Sequence, residues 1–320
     1  MKSTILFSVL LFLVGTLSQA QENKFSFEEQ YDISSNAKLE LSTSDGDIKV
    51  LPGEEGTIKV FYSVRNKGRI LDITKKELEE HVIIDITHND QLLNISVKNR
   101  KSYNWTNMYD VSLEVYTPIQ TSCNLKSSDG DIILSSLTGD QRCKTSDGDI
   151  RVKKINGTVN LKTSDGDINL YVVNGDVEMV TSDGDVYAEN FEGTARITTS
   201  DGDVTIKDAS GAITASTSDG DIVVRNCSGS LIASTSDGDI DANFIKINGK
   251  LSMVTSDGNI DVSIPSGTGV DLKLKGEYLR TPKMDFSGKT GKHHIEGKLN
   301  GGGAPLVLIT SDGSIVLSYQ

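Results

Sequence analysis

The sequence has few of the residues that mark common catalytic and disulfide-rich proteins. Its 320 residues include three cysteines, four histidines, five prolines and one tryptophan, and aromatic residues make up only 6%. Three cysteines cannot form the paired framework of a disulfide-rich domain. His293 and His294 are neighbours that would face opposite sides of a strand, so they cannot easily hold one metal ion. We predict no catalytic triad and no zinc site.

Long apolar runs are absent after the N-terminus. Residues 1–20 contain Lys2, the apolar run Ile5–Val14 and a small-residue cleavage site that ends at Ala20. This pattern predicts an export signal peptide, which is too short to span a bilayer. We therefore expect the mature chain in the periplasm, at the cell surface or outside the cell, with no integral membrane segment.

Positive charge is also in short supply. The chain has 32 lysines and arginines against 45 acidic residues, a formal net charge of -13. Such a surface repels nucleic acid and anionic membranes, and it favours cations or cationic partners. We expect no nucleic-acid partner, and we expect a surface polymer or an envelope protein of unknown identity instead.

The motif that is abundant is Ser-Asp-Gly, which occurs ten times. In the central array its aspartate recurs every 18 residues, and such a fixed period is the signature of a repeat fold. These aspartates are Asp129, Asp147, Asp165, Asp183, Asp201, Asp219 and Asp237, and further copies occur at Asp45, Asp257 and Asp312.

The apolar residues of each repeat predict two short strands. They lie six and four residues before the aspartate and three, five and eight residues after it, as in 159–173. Each flank alternates with period two, which is typical of a half-buried strand. Because two strands cannot bury their apolar face alone, the repeats must stack. We predict an all-β protein, a single-stranded-type β-solenoid (β-helix) with 18-residue coils and an irregular N-terminal β region.

An antiparallel meander built on Asp-Gly hairpins is the rival fold, since that dipeptide suits a two-residue turn. The step from five to eight residues after the aspartate changes the parity of the pattern. A bend between two arcs accommodates this change, whereas a continuous strand does not. The parity favours the solenoid.

The chain is predicted to form one elongated domain in three parts. Residues 21–120 form the N-terminal β region and cap, 121–262 form the regular coils, and 263–320 form irregular coils that close the same solenoid. A two-residue lengthening is expected at 244–248. Within 72–81, good helix formers and a capping-box spacing predict one short helix that covers the open end of the solenoid.

Stacked coils would place the aspartates in two columns. Neighbouring carboxylates about 4.8 Å apart repel each other by roughly 1 to 3.5 kcal/mol at effective dielectrics of 80 to 20. One interpretation is structural: the first aspartate accepts the backbone N–H two residues on, as an Asx-turn, and glycine takes a positive φ. Lys126, Lys144 and Lys162 would then neutralise the early coils.

The other interpretation is a row of Ca²⁺ sites, the one cofactor that the sequence suggests. Carboxylate oxygens are suitable ligands, although a full site needs six to eight oxygens. The row is expected where the lysines give way to Val180, Thr198, Ser216 and Ser234. The candidate ligands are Asp183, Asp185, Asp201, Asp203, Asp219, Asp221, Asp237 and Asp239.

Other positions break or interrupt the apolar pattern. Tyr103, Trp105 and Tyr109 lie in a polar loop whose composition is typical of carbohydrate and protein contacts, although the rings could also cap the solenoid. Cys143 and Cys227 occupy apolar slots, so we expect buried free thiols rather than a disulfide. The threonines that precede the Ser-Asp-Gly triplets are expected on the inward side.

Several segments together resemble one known family. They are SDGDI at 44–48, YTP at 116–118, IPSGTGVDLKLKG at 264–276, and LNGGG followed by TSDGSI within 299–315. Over nearly all of the mature chain they are similar to the bacterial secreted "putative adhesin" family, a domain of unknown function. The resemblance implies a right-handed β-solenoid of the cell envelope, and it supplies no catalytic residues.

The sequence therefore predicts a non-catalytic exported structural or adhesion-type protein of the envelope or cell surface. Its repeated face suits multivalent contact, in which weak contacts add up. The alternatives are a calcium-binding module and, on the same fold, an enzyme that acts on polysaccharides. A unique cleft with non-repeated acids would favour the enzyme.

Overall fold

The computed structural model describes residues 24–100, 109–283 and 285–320, so the predicted signal peptide lies outside the described residues. The strands form one sheet of 27 members. In the regular array they pair in parallel with a shift of one repeat, as Ile132 pairs with Ile150 and Ile150 with Ile168. This register confirms the β-solenoid and contradicts the antiparallel meander. Within the described ranges, no helix is long and apolar enough to cross a membrane.

The N-terminal region contains eight strands and one helix. They are β1 Phe27–Asp32, β2 Ala37–Ser42, β3 Ile48–Pro52, β4 Thr57–Asn66, β5 Arg69–Ile70, α1 Lys75–Leu78, β6 Val82–Asn89, β7 Leu92–Asn99 and β8 Asp110–Thr117. The regular coils contain β9 Thr121–Lys126, β10 Ile132–Thr138, β11 Gln141–Lys144, β12 Ile150–Asn156, β13 Val159–Lys162, β14 Ile168–Asn174, β15 Val177–Val180, β16 Val186–Thr198, β17 Val204–Lys207, β18 Ser210–Ser216, β19 Ile222–Ser234, β20 Ile240–Val254 and β21 Ile260–Ile264. The C-terminal region contains β22 Val270–Lys275, β23 Tyr278–Arg280, β24 Phe286–Thr290, β25 His294–Leu299, β26 Ala304–Ile309 and β27 Ser314–Tyr319.

One residue per coil bends the chain between its two arcs. It lies seven residues after the first aspartate of the turn and has a φ between 50° and 60°. The strand register skips it, because Ser135 pairs with Lys153 and the next pair is Leu137 with Ile155. The bend explains the parity change in the apolar pattern. The bend residues are Ser136, Lys154, Val172, Asn190, Asp208 and Asn226.

The core consists of the inward columns that the sequence pattern predicts. Ile150, Val152 and Leu161 have no exposed surface, and their equivalents in neighbouring coils are buried in the same way. Cys143 lies in one such column between Leu125 and Leu161. All three cysteines are buried and free, as expected. Burial raises the pKa of the Cys143 thiol to about 12, so this group stays protonated and unreactive at neutral pH.

The lengthened repeat is confirmed at the predicted place. Between β19 and β20 the register shifts, so that Cys227 faces Phe244 and Ser228 faces Lys246. Phe244 remains in the core, whereas the side chain of Ile245 is 58% exposed. The extra residues therefore bulge outward without disturbing the apolar columns.

At the N-terminal end, the order of the coils in space differs from their order in the sequence. β2 pairs in parallel with β7 on one side and with β9 on the other. β3 is placed in the same way between β8 and β10. The coil made of β2 and β3 is thus inserted between two coils that follow it in the chain.

The C-terminal end has the same arrangement. β26 pairs in parallel with β20 and β22, and β27 pairs in parallel with β21 and β23. The last coil of the sequence therefore lies inside the stack, between the coil that ends with β21 and the coil made of β22 and β23. The array does not end in space where it ends in sequence.

Antiparallel strands cover the outer coil at each end. β6 pairs with β7 and β4 pairs with β8, while β25 pairs with β22 at the other end. The predicted helix is present as α1, with Thr74 as N-cap and Glu77 completing the capping box. The covering role that we expected of this helix is taken by strands, because strands can satisfy the open edge of a coil with backbone hydrogen bonds.

The bend at Val172 generates a stability prediction. Val172 has a φ of 57°, a left-handed conformation that disfavours β-branched side chains and tolerates asparagine. We expect Val172→Asn to raise the free energy of unfolding by about 1 kcal/mol. The matched control is Asn190→Val, at the equivalent position one coil later, which should lower it by a similar amount. Urea denaturation measures both, and equal stability of the two variants would contradict the prediction.

Candidate functional site: the aspartate edge and the bend groove

The Ser-Asp-Gly-Asp turns form one edge of the solenoid, which we call the aspartate edge (turns 128–131 to 236–239). The backbone of each turn binds the turn before it. The N–H groups of Ser146 and Asp147 both donate to the carbonyl oxygen of Ser128, at 2.8 and 3.0 Å, and the next turn repeats this pattern. The edge is therefore built by translation, with each aspartate placed directly over its equivalent.

A buried threonine fastens each turn from the inside. The hydroxyl of Thr163 lies 3.0 Å from the carbonyl oxygen of Ser146 and 3.1 Å from that of Gly148, to which it donates. It also accepts from the N–H of Gly166 in its own turn. The threonine column is buried along the array, which confirms the inward placement.

The glycine of each turn is required for a reason that differs from our expectation. The turn glycines of the array do not adopt positive φ, which is found instead at the second glycine row, from Gly139 to Gly229. A Cβ atom on Gly148 would lie 2.2 Å from the carbonyl oxygen of Gly130 in the coil before. Any side chain here would clash with backbone, so close approach of the coils selects glycine.

The second aspartate of each turn carries the structural hydrogen bond. The N–H of Asp203 donates to Oδ1 of Asp185 at 2.8 Å, and the N–H of Asp221 donates to Oδ1 of Asp203 at 2.8 Å. The ladder begins at Asp47 and ends where Asn259 donates to Asp239. It gives every buried-side carboxylate oxygen a donor from the next coil.

The first aspartates have a different environment. From Asp147 to Asp237 they are exposed, and within the described ranges their carboxylates accept no hydrogen bond. The Asx-turn that we expected at the first aspartate is therefore replaced by the ladder at the second. Lys126, Lys144 and Lys162 stack in register and are exposed, and in the described parts none lies within ion-pair distance of a carboxylate.

The eight candidate calcium ligands all lie on the aspartate edge, at Asp183, Asp185, Asp201, Asp203, Asp219, Asp221, Asp237 and Asp239. Each second aspartate uses one oxygen in the ladder and directs no described hydrogen bond through the other. In the described part of the chain, no group of three or more His, Cys, Asp or Glu side chains is arranged to hold a metal ion. Calcium binding at the edge stays a prediction.

The predicted aromatic contact site is placed only in part. Tyr103 and Trp105 lie outside the described residues, whereas Tyr109 is half-buried. The Tyr109 ring stacks on His81 with centroids 4.5 Å apart. Its N–H donates to Oδ1 of Asn99 at 3.3 Å. Tyr109 is thus held beside the N-terminal end of the aspartate edge.

A small group of non-repeated acids lies at that end, and the sequence analysis did not identify it. Burial raises the pKa of Asp45, and the neighbouring Asp129 raises it further, although Asn99 donates to its Oδ2 at 2.6 Å. Burial also raises the pKa of Asp110, against the lowering effect of Ser112 and Arg65. The early position of the Asp45 copy was the only sequence signal of this group.

A second repetitive feature is a groove of about 640 Å³ along the bend, which we call the bend groove. It crosses five coils. One wall consists of the bend residues Ser136, Lys154, Val172, Asn190 and Asp208, and the other consists of Thr138, Asn156, Asn174, Glu192 and Ser210. Because the bend was visible in the sequence only as a change of parity, the groove was not predicted.

A stack of parallel coils joined through Ser-Asp-Gly-Asp turns defines a β-solenoid repeat protein. The chain belongs to the Toastrack DUF4097 family, whose model matches residues 105–190 and 172–318. This match confirms the family resemblance that the sequence motifs indicated. No curated protein matches the chain significantly.

Three solved bacterial structures are similar to the chain at low identity. A putative cell adhesion protein from Clostridium sporogenes is 13% identical over 92% of this chain and 99% of its own, with a TM-score of 0.20. A putative adhesin from Bacteroides fragilis is 14% identical over 92% and 96%, with a TM-score of 0.33. A putative adhesin from Parabacteroides distasonis is 13% identical over 92% and 96%, with a TM-score of 0.36.

The ladder predicts that the two aspartates of one turn differ in importance. Asp203→Asn keeps an acceptor oxygen and removes a repelling charge, as Asn259 does when it accepts from Ser314 at 3.0 Å. We expect it to leave stability unchanged or higher, whereas Asp203→Ala should cost about 1 kcal/mol. Asp201→Ala is the control and should cost less than Asp203→Ala. The opposite order in urea denaturation would restore the Asx-turn interpretation.

The acids at the N-terminal end predict a pH dependence. The folded-state pKa of Asp45 lies above its unfolded value of about 3.9, so folding favours the protonated form. Its contribution to stability is thus present at low pH and is lost as the pH rises through the raised value. Asp45→Asn should raise the melting temperature more at pH 7 than at pH 4.

Glu29 provides the control with the opposite sign. Burial would raise its pKa, but hydrogen bonds from Lys75, Tyr31 and Tyr62 lower it overall. Its contribution is present above the unfolded pKa and is lost as the pH falls through the lowered value. Glu29→Gln should therefore destabilise most at pH 7. Parallel pH profiles for the two variants, measured by thermal unfolding, would contradict both assignments.

Proposed function

We propose that this chain is a non-catalytic structural or adhesion-type protein of the bacterial envelope or surface, exported through the segment 1–20. Its long repeated surface makes multivalent contacts with a polymer or with a partner surface. The observation that supports this proposal is the unbroken ladder along the aspartate edge. Equivalent hydrogen bonds between 2.6 and 3.0 Å recur from Asp47 to Asn259.

Such regularity is useful for contacts that are individually weak. A group that binds one coil finds the same group on the next coil, about 4.8 Å away. When several such contacts form on one rod, the second and later contacts are effectively intramolecular, and the affinities combine. The number of coils then sets the strength of binding.

Repetition also argues against catalysis by the edge carboxylates. A general acid and a general base need surroundings that separate their pKa values. The paired aspartates of the array repeat the same surroundings from coil to coil, so none is distinguished for chemistry. The polysaccharide-acting enzyme is therefore the weaker alternative for this edge.

The proposal predicts that binding depends on the number of coils. The assay is co-sedimentation of the mature protein with purified peptidoglycan sacculi. One variant lacks residues 219–236, which joins Ser218 to Asp237 in register, and another contains this coil twice. We expect the shorter rod to bind more weakly and the longer rod more strongly than the native rod. Absence of sedimentation, or equal binding by all three, would contradict the proposal.

A calcium-binding module is the second candidate. It is favoured by the exposed first aspartates together with the unused oxygens of the second, in the region where Val180, Thr198, Ser216 and Ser234 replace lysine. Thermal unfolding in EDTA, in millimolar Ca²⁺ and in Mg²⁺ tests it. A bound ion raises the midpoint by mass action, and Asp219→Asn should reduce a Ca²⁺-specific rise. Equal midpoints in the three solutions would exclude the calcium module.

A further inference from the structure

The bend groove differs from the aspartate edge in its charge. Each coil presents two carboxylates at the edge, whereas the whole groove contains one cation, Lys154, and two acids, Glu192 and Asp208. In a chain with a net charge of -13, this is a nearly neutral surface. Electrostatics therefore give the groove no preference for a strongly charged polymer.

Free amides are the main polar groups of the groove. Asn156 and Asn174 pair in register on adjacent coils, and Asn190 extends the run on the opposite wall. All three are exposed, and within the described ranges their side chains make no hydrogen bond to protein. An amide offers two donors and one acceptor oxygen, so it matches the hydroxyl group, which is also both donor and acceptor.

Apolar surface accompanies these amides. The side chain of Val172 is 46% exposed in the middle of the groove. Leu137, Ile155, Val173 and Phe191 contribute further lining from the core. The volume of about 640 Å³ lies in the range of binding sites that combine apolar walls with a few polar groups. Sugar rings present this combination, with C–H faces and hydroxyl edges.

The direction and spacing of the groove distinguish a glycan from a peptide. The groove crosses the strands, so a peptide lying in it could not join the sheet as an added strand. An extended peptide rises by about 3.3 Å per residue, which is out of step with coils about 4.8 Å apart. An extended β-1,4-linked hexose chain advances by close to one coil per sugar.

We propose that the bend groove binds an extended neutral glycan strand, with about one sugar per coil and with Asn156, Asn174 and Asn190 as the main hydrogen-bonding residues. This inference rests on the proposed function, since it identifies the polymer class and the surface that the repeated coils would contact. The aspartate edge then lies outside the glycan contact.

Isothermal titration of the mature protein with chitohexaose and with cellohexaose tests the inference. We expect at least one of the two hexasaccharides to bind, and the corresponding trisaccharide to bind at least tenfold more weakly because it spans fewer coils. The triple variant Asn156→Ala, Asn174→Ala, Asn190→Gly should weaken binding at least tenfold. Glycine is used at position 190 because it accepts the left-handed backbone of the bend.

A matched variant controls for general surface effects. Asn169→Ala, Thr205→Ala and Ser234→Ala remove three polar side chains on outward positions away from the groove, and this variant should bind like the native protein. Circular dichroism and melting temperature verify that both variants are folded. Loss of binding in the control variant, or unchanged binding in the groove variant, would overturn the assignment.

Sedimentation with sacculi separates this inference from the proposed function. If native protein and groove variant sediment equally, or if neither hexasaccharide binds although sacculi do, the groove assignment is wrong and the proposed function stands. If neither sacculi nor hexasaccharides bind, both are wrong. Binding of an unstructured Gly-Ser-Ala peptide in place of both hexasaccharides would assign the groove to peptides and overturn the inference.

Discussion

The close approach of successive coils at the Ser-Asp-Gly-Asp turns is the constraint on which the rest of the structure depends. At Gly184, a Cβ atom would lie 2.0 Å from the carbonyl oxygen of Gly166, so the turn admits no side chain. This contact aligns the apolar columns, the threonine hydroxyls and the carboxylates of every coil. The 18-residue period is the consequence, because any other repeat length would move these groups out of register.

The same close approach creates an electrostatic cost that the ladder offsets. Stacked carboxylates repel each other by roughly 1 to 3.5 kcal/mol, and a hydrogen bond to a charged group contributes about 1.5–3 kcal/mol. The two effects are of similar size. Donation from each second aspartate to the one before it, as from Asp221 to Asp203, therefore accounts for the stacking without a bound ion. It leaves the outer oxygens of the edge available for contacts.

The ends of the rod show how a repeat protein avoids open edges. At both ends the terminal coil of the sequence is inserted one layer inside the stack, by β2 and β3 at one end and by β26 and β27 at the other. Antiparallel strands then cover the outermost coil. Insertion ties the chain ends into the sheet, where fraying would otherwise begin.

The sequence by itself determined the period, the strands, the buried columns and the bend, because each of these repeats every 18 residues and is visible locally. Tertiary structure alone decided which aspartate of a turn accepts a hydrogen bond, since that donor comes from another coil. It also decided why the turn needs glycine, how the end coils are threaded and where the bend groove lies. Asp47 and Asp131 are 84 residues apart and yet adjacent in the ladder, and no local pattern encodes such a contact.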